Sequence, residues 1–526
     1  MKTKWFKKTT AICMAAALGV SAFSSSAFAA EGYAAAEKEA WANGVKNFAS
    51  AYASSLEEYD TVLAGTNANI TLSLEESGRS LLGFIAPFDV SWADNVSVTM
   101  INTFKDGKQG VLMNLLLNGS QICTLECYLD SATQDTYMRI PELSDKYFKV
   151  NLQEAMEAQE EAGESVISYS GSMNASLAML SDHRSLFPEA SVLEELLNKY
   201  AAFIFDNVTE GESAAETLTV GDVSEACTAY EAQISAEDVI HMGTDILETA
   251  KSDEEVQKII EAWGDLSQSD DLYEQFILAV EGGLSSLQET ETTEEDTETI
   301  TTKIWVSEDG TIAGRELSDA EGTPLFTWKM PQADAQFGYE LSIIDPENAE
   351  GSYKLSGNGT IENDLLNGSY QFYAGDTPYV NIEVTDYNTA SAKNGEINGH
   401  YVITAIASEE DETMASLQNF GLALDLTSAG TSGSIDLSVT SADSNLATLS
   451  ITSETGEGIE IPDLSAIGEV YDTANEDDMN AFAAELDLTT ILENILTAGV
   501  PEDVINYVLT GGASAEEEAE MDTAVE

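Results

Sequence analysis

Cationic side chains are scarce in this chain. Against 94 aspartates and glutamates stand only 21 lysines and arginines, and the formal net charge is −73. A surface this negative repels nucleic acid and anionic membrane, so neither is expected as a partner. It leaves cations, basic proteins and ligands held by apolar contact. The general consequence of so much like charge is a dispersed, soluble surface. Arginine is confined to Arg79, Arg139, Arg184 and Arg315, and any of these that is buried needs a carboxylate partner.

Histidine is rarer still. His183, His241 and His400 each lack a second histidine or a cysteine at ligand spacing, and each reads as a surface or capping residue. The motifs HExxH, GxSxG, GxGxxG, the phosphate-cradling Walker loop and a complete EF-hand loop are all missing. No cofactor is implied and no catalytic residue is indicated. The loop DPENAEG offers Asp345, Asn348 and Glu350 as a weak oxygen-ligand set for a hard cation. A glycosidase needs only two carboxylates at a set separation, and among 94 candidates no pair stands out.

Long apolar runs are missing after the first thirty residues. The opening has Lys2, Lys4, Lys7 and Lys8, an apolar stretch from Thr10 to Phe23, and the small-residue site Ala27-Phe28-Ala29. That is a secretory leader over 1–29, and the expected location is secreted or extracellular. No later stretch reaches the ~20 apolar residues of a transmembrane helix.

Cysteine occurs four times, one of them Cys13 within the leader. Cys123 and Cys127 stand four apart in SQICTLECYLD. On a strand rising ~3.3 Å per residue they share a face but lie ~13 Å apart. That is too far for a disulfide to each other or for a shared zinc. Either all three remaining thiols are small buried hydrophobes, or Cys227 pairs with one of the other two.

What is present is periodicity. Trp41, Val45, Phe48, Tyr52, Tyr59 and Leu63 recur at helical spacing in an N-terminal amphipathic helix, 30–64. Period-two alternation then marks a first antiparallel meander, 65–150, with hairpin turns at Asp106-Gly107 and Asn118-Gly119. A helical insert with one strand segment and an acidic linker covers 151–299. Its helix starts are Ser191 with Glu194, Ser235 with Asp238 and Ser252 with Glu255. A second meander runs over 300–470, with turn signals at Asp309-Gly310, Asn367-Gly368, Asn394-Gly395 and Asn398-Gly399. Helices follow over 471–511, the second opened by Pro501, and an acidic, disordered tail over 512–526. The fold class is α+β: large antiparallel β meanders forming a curved sheet or incomplete barrel covered by helices.

The stretches ANITLSLEES, SVTMINTF and DTYMRIPELSDKYFKV, within this order of elements, resemble uncharacterised secreted proteins of clostridia-type bacteria. Those in turn resemble the lipoprotein-carrier fold of LolA and LppX. The resemblance implies a half-barrel whose helices lid an apolar hollow for acyl chains. The leading expectation is a non-catalytic secreted protein that binds a lipid, an acyl chain or a hydrophobic peptide. Met113, Leu115, Leu125, Cys127, Ile382 and Val384 are the candidate lining residues. A structural or adhesive surface protein, partnered by another cell-surface protein, is the alternative. A sugar hydrolase using the late aromatics Trp305, Trp328, Phe337, Tyr339, Tyr370, Phe372 and Tyr379 is the third, though such residues on strands more often face a core.

Overall fold

The fold comes from a computed structural model, which describes residues 32–151, 186–267, 271–288, 299–346, 348, 351–406, 420–442, 444–468 and 470–509. The expected leader, residues 152–185 with His183 and Arg184, the acidic run 289–298, Glu350 and the tail lie outside the described residues.

In chain order the elements begin with α1 (Tyr33–Ala64), β1 (Thr66–Leu74) and α2 (Glu76–Leu82). Next come β2 (Asn95–Lys105), β3 (Lys108–Leu117), β4 (Ser120–Asp130), β5 (Asp135–Arg139) and β6 (Tyr147–Asn151). Then α3 (Ala190–Asp206) precedes β7 (Thr209–Glu210), β8 (Ala214–Val220) and β9 (Val223–Ser235). Three helices follow: α4 (Ala236–Ser252), α5 (Glu254–Ser267) and α6 (Leu272–Gln288). The long run of strands opens with β10 (Thr299–Ser307), β11 (Ile312–Ser318), β12 (Pro324–Lys329), β13 (Gln332–Ala333) and β14 (Gln336–Ile343). It continues through β15 (Tyr353–Glu362), β16 (Leu365–Ala374) and β17 (Thr377–Asn388), then α7 (Thr389–Ala392) and β18 (Gly399–Ala405). Last are β19 (Phe420–Ala429), β20 (Ser432–Ser441), β21 (Ser444–Thr455), β22 (Val470–Asp472), α8 (Glu476–Glu485), α9 (Thr489–Thr497) and α10 (Glu502–Leu509). The architecture is α+β, mostly antiparallel and not closed by strand pairing among the described residues.

The chain divides into two compact units, one of Met1–Glu57 with Gly171–Asn419 and one of Glu58–Ser170 with Phe420–Glu526. The strands of 300–470 are therefore shared between them. In the first unit β8 pairs with β9, and β9 through β12 pair in sequence. From β12 the sheet passes to β14 and then in order to β18. In the second unit β19 to β21 pair in order, β21 pairs with β1, and β1 to β6 follow in order. Among the described residues of this unit β22 pairs in parallel with β6.

In the first unit α1 lies on one face of the sheet. Ala36 and Ala40 are small enough to bring the helix against Ala232, Ile304, Val306 and Ile312. On the same helical stripe Glu37 is fully buried and forms a bidentate pair with Arg315 on β11, both bonds 3.0 Å. Tyr33 adds a 2.9 Å hydroxyl contact to Thr302. A burial this deep is tolerated only because each charge meets its opposite in fork geometry. A second cluster joins Met242 of α4 to Ile234, Ile300 and Leu317. The other sheet face packs Leu218, Cys227, Ala229, Trp305 and Ala313 together.

Local signals are partly as expected. Asp106-Gly107 and Asn118-Gly119 are left-handed turns, with φ of 52° and 73°, and 50° and 75°. Ser235 and Asp238 form a reciprocal capping box. Asp253, rather than Ser252, receives the Glu255 amide at the next helix start, and Ser191 caps nothing, because α3 starts one residue earlier. Asn367-Gly368 is not a turn. It lies inside β16, and the bend falls at Asn363-Asp364, both left-handed. Gly368 is small for a packing reason: a Cβ there would stand 2.7 Å from the Tyr370 hydroxyl. Asn394-Gly395 and Asn398 belong to the longer α7 connection between β17 and β18, and Gly399 opens β18.

Replacing Glu37 with Leu should leave Arg315 buried without a counter-charge and cost about 3–5 kcal/mol of stability in urea unfolding. The double change Glu37→Leu/Arg315→Met should recover most of it. Asp253 supplies a pH test. Burial works to raise its carboxyl, but Lys199 (2.8 Å) and Tyr200 (3.0 Å) bond it and hold it below the usual range. Its contribution is thus present above the ordinary value of about 4 and lost as pH falls through the lower folded value. Asp253→Asn should flatten the acid limb of the stability-against-pH curve.

Candidate functional site

Every strand sends alternate side chains to opposite faces, so register decides which residues collect. In the second unit the register aligns aliphatic residues into rows that cross the strands. One row runs Leu426–Ile435–Ile451–Ile70–Val98–Leu115–Cys123. The next runs Leu424–Leu437–Leu449–Leu72–Val96–Leu117. A shorter row on each side adds Leu422, Val439, Ala447 and Leu74, and Ala68, Met100, Met113 and Leu125. With strands about 4.8 Å apart, the seven-residue row is about 29 Å long. These rows hold no charge and no aromatic ring.

The opposite face is polar on β19–β21 and β1, and on β2–β4 it mixes polar residues with Ile101, Leu112, Leu116 and the buried Tyr128. Hydroxyls and amides bond one another across it: Thr427 to Ser434 at 2.6 Å, Ser438 to Thr448 and Thr71 to Ser97 at 2.9 Å, Asn114 to Thr99 at 3.1 Å. Asp425 and Asp436 also fall on that side. Where it is polar, this face is the ordinary solvent side of a half-buried sheet; at Gly110 it is covered by Ile459 and Ile461. The aliphatic face is the unusual one, because its side chains are not deeply covered. Five of the thirteen residues in the two long rows are exposed, from 37% at Leu115 to 45% at Leu72 with Ile70, Val96 and Ile435 between, and the other eight are half-buried.

Four of the six expected lining residues meet on this face. Met113 stands opposite Leu125, Leu115 opposite Cys123, and Cys127 opposite Val111. Cys127 begins the apolar continuation through Met138 to Phe148, whose ring packs on Phe482 of α8 at 3.9 Å between centroids. Ile382 and Val384 lie in the first unit on β17, in register with Tyr370 and Gly368. That region is filled by rings: Tyr370 is buried and packs on Tyr339 at 5.6 Å and on Phe337 at 6.5 Å. Phe337 and Trp305 are buried as well, as strand aromatics facing a core are. The residues that sequence reasoning missed are Ile70, Leu72, Val96 and the β19–β21 aliphatics. Their alternation was legible, but their alignment across strands far apart in sequence was not.

Other candidates do not assemble. Asp345 and Asn348 sit in a turn where the Asn348 amide bonds the Asp345 carbonyl at 3.2 Å, and Glu350 lies outside the described residues. Among the described residues no group of three His, Cys, Asp or Glu side chains is gathered to hold a metal. His241 is exposed beside Glu237 at 3.7 Å. No helix among them is long and apolar enough to cross a membrane.

The three described cysteines are free, so Cys227 pairs with neither Cys123 nor Cys127. Burial raises the thiol of Cys123, with the Glu142 carboxylate adding to it, and burial raises that of Cys127. Burial pushes the Cys227 thiol up to about 12. No protein-family model, curated protein or solved structure matches this chain.

A raised thiol holds less thiolate at a given pH and reacts more slowly. At pH 8, iodoacetamide should modify Cys123 and Cys127 more slowly in the folded protein than in urea, and Cys227 slowest of all, as read by peptide mass spectrometry. Rapid labelling of Cys227 in the folded chain would contradict the packing described.

Proposed function

We propose that this is a secreted, non-catalytic protein that binds a long apolar chain along the aliphatic face of its second unit. The observation that carries the reading is the pair of aliphatic rows, none of whose residues is buried and five of which are about two-fifths exposed. Contiguous apolar surface of this extent on a soluble protein marks an interaction site more often than a solvent face. Its chemistry narrows the ligand. Sugars stack on aromatic rings, and the rows offer none; charged head groups need counter-charges, and the rows carry none. Leu, Ile, Val and Met side chains instead match a saturated acyl chain, gaining about 0.8 kcal/mol for each methylene buried. The same reading includes a lipoprotein-carrier-like fold for the chain, supported by the antiparallel sheet with one apolar face.

A fluorescent fatty acid should titrate to saturation near one per chain and be displaced by unlabelled fatty acid. Leu115→Asn/Ile435→Asn should weaken it about tenfold or more, since the changes put an amide near each end of the row. Bound ligand should also slow alkylation of Cys123 and leave Cys227 unchanged. A signal that cannot be displaced, or one indifferent to the two substitutions, would refute the reading.

A further inference from the structure

The connection between β1 and β2 leaves the sheet at the end where Leu74 and the Leu72–Val96 row lie. It reads SLLGFIAPF from Ser80 to Phe88, nine residues without a charge in a chain whose net charge is −73. Phe84 is 87% exposed and Ile85 79%, and Leu81 beside them is also exposed. These side chains are not loose ends. The backbone beneath them continues the turn of α2, with Phe84 N bonded to Leu81 O at 3.2 Å, Ile85 N to Leu82 O at 3.0 Å and Ala86 N to Leu82 O at 2.8 Å. At the base Arg79 pairs with Asp94 at 2.8 Å, and the Trp92 indole donates to the Asp89 carbonyl at 2.8 Å. Phe88 packs on Tyr507 of α10 at 5.6 Å. The last turn of that helix adds exposed Val508 and Leu509, again without charge.

We infer that this tip docks the protein onto an uncharged lipid surface. Phe84 and Ile85 stand almost clear of the molecule. Side chains so placed gain most from a medium that closes around them, as the interface of a bilayer does. Charge selects among surfaces: the polyanionic chain is pushed away from anionic lipid, so a zwitterionic surface is the one approached. Identifying the occupant as lipid rests on the acyl-chain reading of the adjoining face. A chain lifted from the surface at the tip would meet Leu74 and Leu72 next.

Flotation with phosphatidylcholine vesicles tests the tip, and titration with a soluble fluorescent fatty acid tests the ligand face separately. The purified protein should float with phosphatidylcholine vesicles. It should float less with vesicles containing phosphatidylglycerol, and added salt should reduce that difference. Phe84→Ser/Ile85→Ser should lower vesicle partition about a hundredfold, roughly tenfold for each side chain. That variant should keep the melting temperature and the fatty-acid titration of the parent. Phe84→Leu/Ile85→Leu should keep the partition. The inference is overturned if the parent stays unbound, if the serine variant floats as well as the parent, or if the tip instead drives self-association in sedimentation. Flotation without fatty-acid binding would remove the ligand face and leave the tip standing; fatty-acid binding without flotation would do the reverse.

Discussion

The second unit depends on one register. β1 pairs with β21 so that Ile70 meets Ile451 and Leu72 meets Leu449. That pairing joins strands almost four hundred residues apart and turns two short aliphatic stripes into one face. A slip of one residue would put Asn69 and Thr71 in the rows and send the aliphatics to the hydroxyl side. The polar face resists such a slip as well, because Thr71 with Ser97 and Ser438 with Thr448 would lose their partners. The two faces therefore hold the register jointly, one by apolar contact and one by hydrogen bonds.

An open aliphatic face invites two copies of a protein to stack. The acidic surface offsets that tendency. With a net charge of −73, copies repel at distances set by the Debye length, before apolar contact can form. Strong acidity and an open apolar face are therefore compatible. In the first unit charge works the opposite way. Glu37 and Arg315 are drawn out of water together, and the pair ties α1 to the sheet at one place with fixed geometry.

Several features were legible from local chemistry. The long N-terminal helix, the hairpins at Asp106-Gly107 and Asn118-Gly119, and the Ser235 capping box follow from periodicity and turn preference, which act within a few residues. The shared face of Cys123, Leu125 and Cys127 follows from strand alternation. Gly368 shows where local reasoning misleads. Asn-Gly is a strong turn signal, yet here the glycine serves the ring of Tyr370, a demand set by packing. Arg315 likewise called for a carboxylate partner, but nothing local pointed to Glu37, 278 residues away.

The sequence by itself determined the class of the protein: α+β, antiparallel, strongly acidic, with strands whose alternate residues are aliphatic. Those are consequences of composition and short-range geometry. Only the tertiary structure decided that the strands after residue 419 return to β1, and that four of the six expected residues share one face while Ile382 and Val384 lie in another unit. It also decided that Phe84 and Ile85 face water rather than a core. Strand pairing is a contest among many partners of similar local preference, and its outcome is set by long-range packing that no single stretch encodes.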